Sequence, residues 1–191
     1  MLHYNDLKPG VQFIKDGEPL IVIEYSHVKK QRGKPIVQLK TRNLISGKLS
    51  DVTAHQNDSF EEAIITKSPV IFIYDNKGIY WFRNSDNPSD RFSLNETILG
   101  ESRYYLIPEL EVQVLTFKEQ IINIELPIKV DIKVTEAPPN IKGNTADGGT
   151  KPVITETGLK VNTPLFIERG DTIRINTQNG TYTERTEKSV M

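Results

Sequence analysis

The chain contains no cysteine. That excludes disulfides, thiolate metal centres and a cysteine nucleophile together, and points to a reducing, cytoplasmic setting. Long hydrophobic runs are also missing: nothing approaches the roughly 20 consecutive apolar residues that span a bilayer. The opening MLHYNDLKPG has no basic segment leading into an apolar one. The expectation is a soluble, unprocessed protein with no membrane attachment. Histidine is scarce, and His3, His27 and His55 fit no metal-binding spacing, so structural or surface roles are expected for them. No Gly-x-Ser-x-Gly elbow marks a nucleophile. The glycine-rich stretch GNTADGGTKP (143–152) fails as a phosphate loop, because Gly149 stands where the lysine should be and Pro152 follows Lys151. Carboxylates are plentiful, but no pair is singled out as acid and base. These gaps describe a binding protein without cofactor or metal, not an enzyme.

An excess of one charge is absent too, since 24 Lys and Arg face 25 Asp and Glu. A binding footprint depends on where charge sits, however, not on its sum. From 26 to 50 the basic residues are Lys29, Lys30, Arg32, Lys34, Lys40, Arg42 and Lys48, with no carboxylate among them. From 96 to 125 the balance reverses: six glutamates face only Arg103 and Lys118. Composition alone divides the basic stretch evenly between a solvated charged face and a phosphate-contacting arm. The arm reading rests on lysine and arginine displacing counterions from nucleic acid, and on the planar fork of arginine.

What fills the rest of the chain is strand signal. VQFIKDGEPLIVIEY reads as two β-rich runs around Asp16-Gly17, and PIVQLKTRNL alternates with a period of two. Later runs repeat the pattern, punctuated by Asn, Asp and Gly turns. Only 59–65 and 93–99 carry a weak helical pattern. Tyr74, Tyr80, Trp81 and Phe82 are expected to supply core. The fold class is all-β, and the number of short strands fits several small barrels better than one sandwich. Breaks at TKSPV (66–70) and ELPIKV (125–130) suggest three modules, 1–66, 67–129 and 130–191.

The segment EAPPNIKGNTADGGTKPVITETGLKVNTPLFIERGD (136–171), the terminal NGTYTER (179–185) and the N-terminal HVKKQRGKPIVQLKTRNLISGK (27–48) together resemble bacterial elongation factor P. The likeness runs over the whole chain. It implies an SH3-like (KOW-type) N-terminal barrel followed by two OB-fold barrels in an L-shaped, tRNA-like arrangement. It also implies a monomeric factor that binds the 70S ribosome between the peptidyl-tRNA and exit sites and relieves stalling at consecutive prolines. The tip position, usually a modified lysine, falls on Arg32, beside Gly33. One branch of the family carries a rhamnose on that arginine, so an arginine rhamnosyltransferase is an implied partner. Three tip states stay open: rhamnosyl-arginine, bare arginine, and modification of Lys30 or Lys34, with the lysines ranked last. Here Lys30-Gln31 replaces the usual Pro-Gly and Lys34-Pro35 follows the tip glycine, so the turn is held differently from most members. Lys29, Lys30, Gly33, Lys34, Lys40 and Arg42 are implied as support on ribosomal RNA and the peptidyl-tRNA. Tyr182, Arg185 and Lys151 are implied as contacts to the small subunit or tRNA, with barrel-edge packing the competing reading for Tyr182. LGESR (99–103) aligns with the family's loop near the exit-site codon, with Glu101 in place of the usual aspartate. Two rivals remain: the elongation factor P-like paralogue, which usually lacks this form of glycine-rich loop, and a general OB-fold RNA-binding protein, which requires aromatics exposed on a barrel face.

Overall fold

A computed structural model describes residues 1–28, 36–139 and 149–189. Three antiparallel sheets carry the chain in sequence order. The first contains β1 (Leu2–His3), β2 (Gln12–Lys15), β3 (Glu18–Val28), β4 (Ile36–Asn43), β5 (Leu49–His55) and β6 (Ser59–Glu62), ordered β1-β6-β2-β3-β4-β5. The second contains β7 (Ile65–Asn76), β8 (Ile79–Asn84), β9 (Arg91–Asn95), β10 (Glu111–Phe117) and β11 (Gln120–Glu125), ordered β11-β10-β7-β8-β9. The third contains β12 (Lys129–Glu136), β13 (Thr150–Thr155), β14 (Lys160–Pro164), β15 (Thr172–Asn176) and β16 (Thr181–Glu187), ordered β14-β13-β12-β15-β16. Counted from its own first strand, each of the last two sheets reads 3-2-1-4-5, the strand neighbourhood of an OB-fold. The all-β expectation holds, and no helix among the described residues is long and apolar enough to cross a membrane.

Turn chemistry sets the hairpins. Asp16-Gly17 and Lys77-Gly78 both have positive φ, 53° and 83° in the first and 51° and 78° in the second, as a two-residue turn matched to strand twist requires. Lys118-Glu119 adopts the same turn, at 48° and 65°, with no glycine.

Two of the weaker expectations are corrected. Residues 59–62 form β6, whose Phe60 packs edge-on against Phe13, with centroids 5.1 Å apart. Tertiary pairing with β1 and β2 overrides the local helical pattern there. Of 93–99, the first three residues finish β9 and only Glu96–Leu99 is helical (α1), started where the Asn95 side chain accepts from Ile98 N at 3.0 Å.

The strands distribute over two compact units, Met1–Ser68 with Val114–Asn123, and Pro69–Gln113 with Ile124–Met191. In the first, Leu115, Phe117 and Ile122 bury against Ala63, with Ile14, Leu44 and Ile65 around them. Asn123 Nδ2 also donates to the Leu44 carbonyl at 3.4 Å. In the second, Tyr105, from the 3₁₀ segment Gly100–Tyr105, enters the core formed by Val130, Ile132, Val153, Ile173 and Ile175. The Thr157 hydroxyl donates to the Tyr104 carbonyl at 2.5 Å.

Candidate nucleic-acid interface

Strict alternation along β4 decides where its cations point. Val37, Leu39, Thr41 and Asn43 are buried, while Gln38, Lys40 and Arg42 face outward. Thr41 satisfies its buried hydroxyl by donating to the Ser50 carbonyl at 2.9 Å. The flanking strands supply what 26–50 lacks in sequence. A bulge at Ile23 brings Glu24 opposite Lys40 on one side, and Asp51 lies opposite it on the other. Lys40 Nζ reaches Glu24 Oε1 at 3.2 Å. Arg42 instead stands between Ile21 and Leu49 and has no ion pair among the described residues. Glu24, Ser26, Gln38, Lys40, Asp51 and Thr53 are among the residues lining a groove of about 470 Å³ on these three strands. That face is close to neutral.

The ladder between β3 and β4 continues to Val28↔Ile36. Lys29, Lys30, Arg32, Gly33 and Lys34, all expected at the working end, lie in the segment joining those two residues and outside the described residues. At the near end of the ladder Lys8 Nζ sits 3.9 Å over the Tyr25 ring, and Tyr25 Oη lies 3.2 Å from His27 Nδ1. Lys8 meets Tyr25 only through the fold, whereas Tyr25 and His27 share one face of β3 two residues apart.

The C-terminal candidates lie on the third sheet. Lys151 is buried, 7% exposed, and donates to the Pro138 carbonyl at 2.9 Å. The last three residues of the glycine-rich stretch, Thr150, Lys151 and Pro152, open β13, a strand, where a phosphate loop would start a helix. Arg185 NH1 donates to Asp171 Oδ2 at 3.2 Å, and its guanidinium lies 5.2 Å from the Phe166 ring centre. Asp171 is completely buried. Burial opposes its charge, but backbone donors at Glu168 and Ser189 and the Arg185 guanidinium outweigh it, holding the carboxyl below its ordinary range. Tyr182 is half-buried against the third core, and burial raises its phenol above the ordinary value. The packing reading of Tyr182 therefore has direct contacts behind it. In 99–103, Arg103 donates to Tyr104 Oη at 2.8 Å and lies 3.6 Å from Glu96 Oε2, while Glu101 is exposed.

Residues 3–60 match the family model described as "Elongation factor P (EF-P) KOW-like domain", and 130–185 match "Elongation factor P, C-terminal". The chain is 37% identical over 185 residues to elongation factor P of Carboxydothermus hydrogenoformans, covering 97% of this chain and 100% of that one. The chain belongs to the elongation factor P family. Elongation factor P of Desulfotalea psychrophila is 35% identical over 188 residues, covering 98% and 100% of the two chains. The solved structure described as eukaryotic translation initiation factor 5A from Methanococcus jannaschii matches with a TM-score of 0.50 at 16% identity, over 64% of this chain and 92% of that one. That likeness speaks to the fold alone. Family membership makes this member of the elongation factor P family a translation elongation factor.

Proposed function

We propose that the protein binds the 70S ribosome between the peptidyl-tRNA and exit sites and stimulates peptide-bond formation at consecutive prolines, with Arg32 at the acceptor end of the peptidyl-tRNA. The observation that carries this reading is the split of charge along one hairpin. On the sheet face Lys40 is answered by Glu24 and Asp51, whereas Lys29, Lys30, Arg32 and Lys34 fall together beyond the last strand pair with no carboxylate among them. A run of cations with no carboxylate between them in sequence suits a place where phosphate is met. Arg42 extends that footprint along β4, and Lys40 contributes less than its sequence position suggests.

Proline fixes φ and presents a hindered secondary amine, so a proline-rich peptidyl-tRNA and its acceptor sit outside a reactive geometry. Holding the acceptor end in place lowers the entropic part of the barrier, and each ~1.4 kcal/mol so gained is worth about tenfold in rate. Such a role needs no side-chain acid or base. Arg32 serves either bare, through a guanidinium that bonds phosphate or ribose hydroxyl, or extended by a rhamnose that an arginine rhamnosyltransferase adds. In the same reading the modules 1–66, 67–129 and 130–191 act as one monomer. Tyr182 and Arg185, both on β16, and Lys151, on β13, supply small-subunit or tRNA contacts.

A reconstituted translation assay on a message with three consecutive proline codons tests the proposal. The protein should raise full-length product, and Arg32→Ala should abolish the gain. Equal stimulation by the variant would overturn the assignment of Arg32. Peptide mass spectrometry of residues 28–39 from the native host reads the tip state directly, since a mass increment on Arg32 marks glycosylation and its absence marks a bare guanidinium.

A further inference from the structure

The second sheet has an outer face that its fold does not explain. Phe72, Phe82 and Leu94 point into the core, with Tyr80 and Phe92 packed on the same side. A bulge at Ile73 breaks the alternation, so Tyr74, not Ile73, stands opposite Trp81 on the other side. The two rings stack with centroids 6.3 Å apart and planes 25° from parallel. Tyr74 is 46% exposed, and Trp81 is half-buried beneath it. Beside this pair Ser93 lies opposite Trp81, and one step along the strands Arg83 lies directly opposite Arg91.

Like charges placed directly opposite across two strands oppose folding. Arg83 is offset by Glu109 at 2.5 Å. Arg91 is exposed and has no ion pair among the described residues. A sheet gains nothing from this arrangement on its own, but a polyanion laid across the two strands would turn the repulsion into attraction. An exposed aromatic step flanked by an unanswered guanidinium is the pairing that holds single-stranded nucleic acid, with bases on the rings and phosphates on the cation. The location agrees as well, since β8 and β9 are the second and third strands of this sheet, the face that OB-folds use for oligonucleotides.

We infer that the Tyr74–Trp81 step with Arg91 and Arg83 is a second nucleic-acid surface, for single-stranded RNA, separate from the Arg32 hairpin. One or two bases stack on Tyr74 and the open edge of Trp81, and the adjoining phosphate meets Arg91. Because stacking tolerates every base and the site offers few base-edge donors, binding is weak in sequence preference.

Trp81 is the only tryptophan in the chain, so its fluorescence reports this surface and no other. Titration of the full-length protein with a single-stranded hexauridylate or hexaadenylate at low salt should quench that emission saturably. Tyr74→Ala should weaken the dissociation constant about tenfold, the scale of one lost base stack. Arg91→Ala should lower the slope of log affinity against log salt by about 0.7, the release expected for one phosphate contact on a single strand. Both side chains are exposed, and a far-ultraviolet circular dichroism spectrum matching wild type checks that each variant folds. Arg32→Ala should bind the oligonucleotide as wild type does, even where it fails in the translation assay, which separates this surface from the hairpin. The inference fails if quenching is absent, if polyglutamate quenches with equal affinity, if Tyr74→Ala binds unchanged, or if Arg32→Ala loses binding.

Discussion

Asp171 draws its charged partner, Arg185, from a strand 14 residues along the chain. NGTYTER places Arg185 among candidate RNA contacts, and in the fold its guanidinium also answers a buried carboxylate. Asp171 also accepts from Ser189 N at 2.8 Å, tying the end of the chain to the third sheet. Asp171→Asn removes the charge and leaves part of that cage unmatched, which should lower stability by about 1–3 kcal/mol in urea unfolding. The sign of the pH effect follows from its direction of shift. A carboxyl held below its unfolded value stabilises the fold above that value, near pH 3.9, and the contribution is lost as pH falls through the folded one. Wild-type stability should therefore drop below about pH 4 more steeply than that of Asp171→Asn, as urea midpoints measured from pH 6 downward will reveal. Lys40 teaches the same lesson on the first sheet. Replacing it with alanine should weaken ribosome binding less than Arg42→Ala does, because Glu24 and Asp51 already offset its charge. Pelleting the two variants with ribosomes compares them, and equal losses would contradict that ranking.

At the scale of the element, turn chemistry was legible and bulges were not. Asp16-Gly17 and Lys77-Gly78 announce their turns because a glycine accepts positive φ at little cost. Lys118-Glu119 reaches the same turn without one, so its strand pairing must hold two side chains in a backbone region that L-residues avoid. Glu119→Gly should raise stability by about 0.5–1 kcal/mol, readable as a higher urea midpoint with an unchanged slope. The opposite change is expected at Gly78. There an added Cβ would lie 2.9 Å from Glu96 Oε1 at a φ of +78°, so Gly78→Ala should lower the midpoint. The bulges at Ile23 and Ile73 leave no such trace, yet each resets which residue faces outward: Glu24 opposite Lys40 in one, Tyr74 opposite Trp81 in the other. A period of two read straight through either strand assigns the wrong face to everything beyond the bulge. For that reason the expectation that Tyr74 supplies core is corrected; Trp81, on the unbulged β8, lies on the outer face by plain alternation with Phe82, which is fully buried.

For the molecule as a whole, sheets and compact units divide the chain differently. The strands of each sheet follow one another in sequence, but Leu115, Phe117 and Ile122, from the second sheet's last two strands, are buried in the unit that contains the first sheet. Phe117→Ala removes a buried ring from that cluster and should cost about 3–5 kcal/mol. The loss should appear as reduced hydrogen-exchange protection around Ala63 and β2, far away in sequence, whereas a drop confined to β10 and β11 would contradict the shared core. Alternation, glycine turns and the absence of cysteine and long apolar runs were enough to establish an all-β chain with strands near their observed places. Motifs spread along its length were enough to indicate the elongation factor P family. These features are local, repeating every two residues or closing within four, so the chain expresses them before it folds. Which cations stay unanswered, which aromatics remain open and which unit a hairpin joins were decided by tertiary structure alone. Each depends on residues from other strands brought within a few ångströms, and both charge compensation and burial act across that distance, not along the chain.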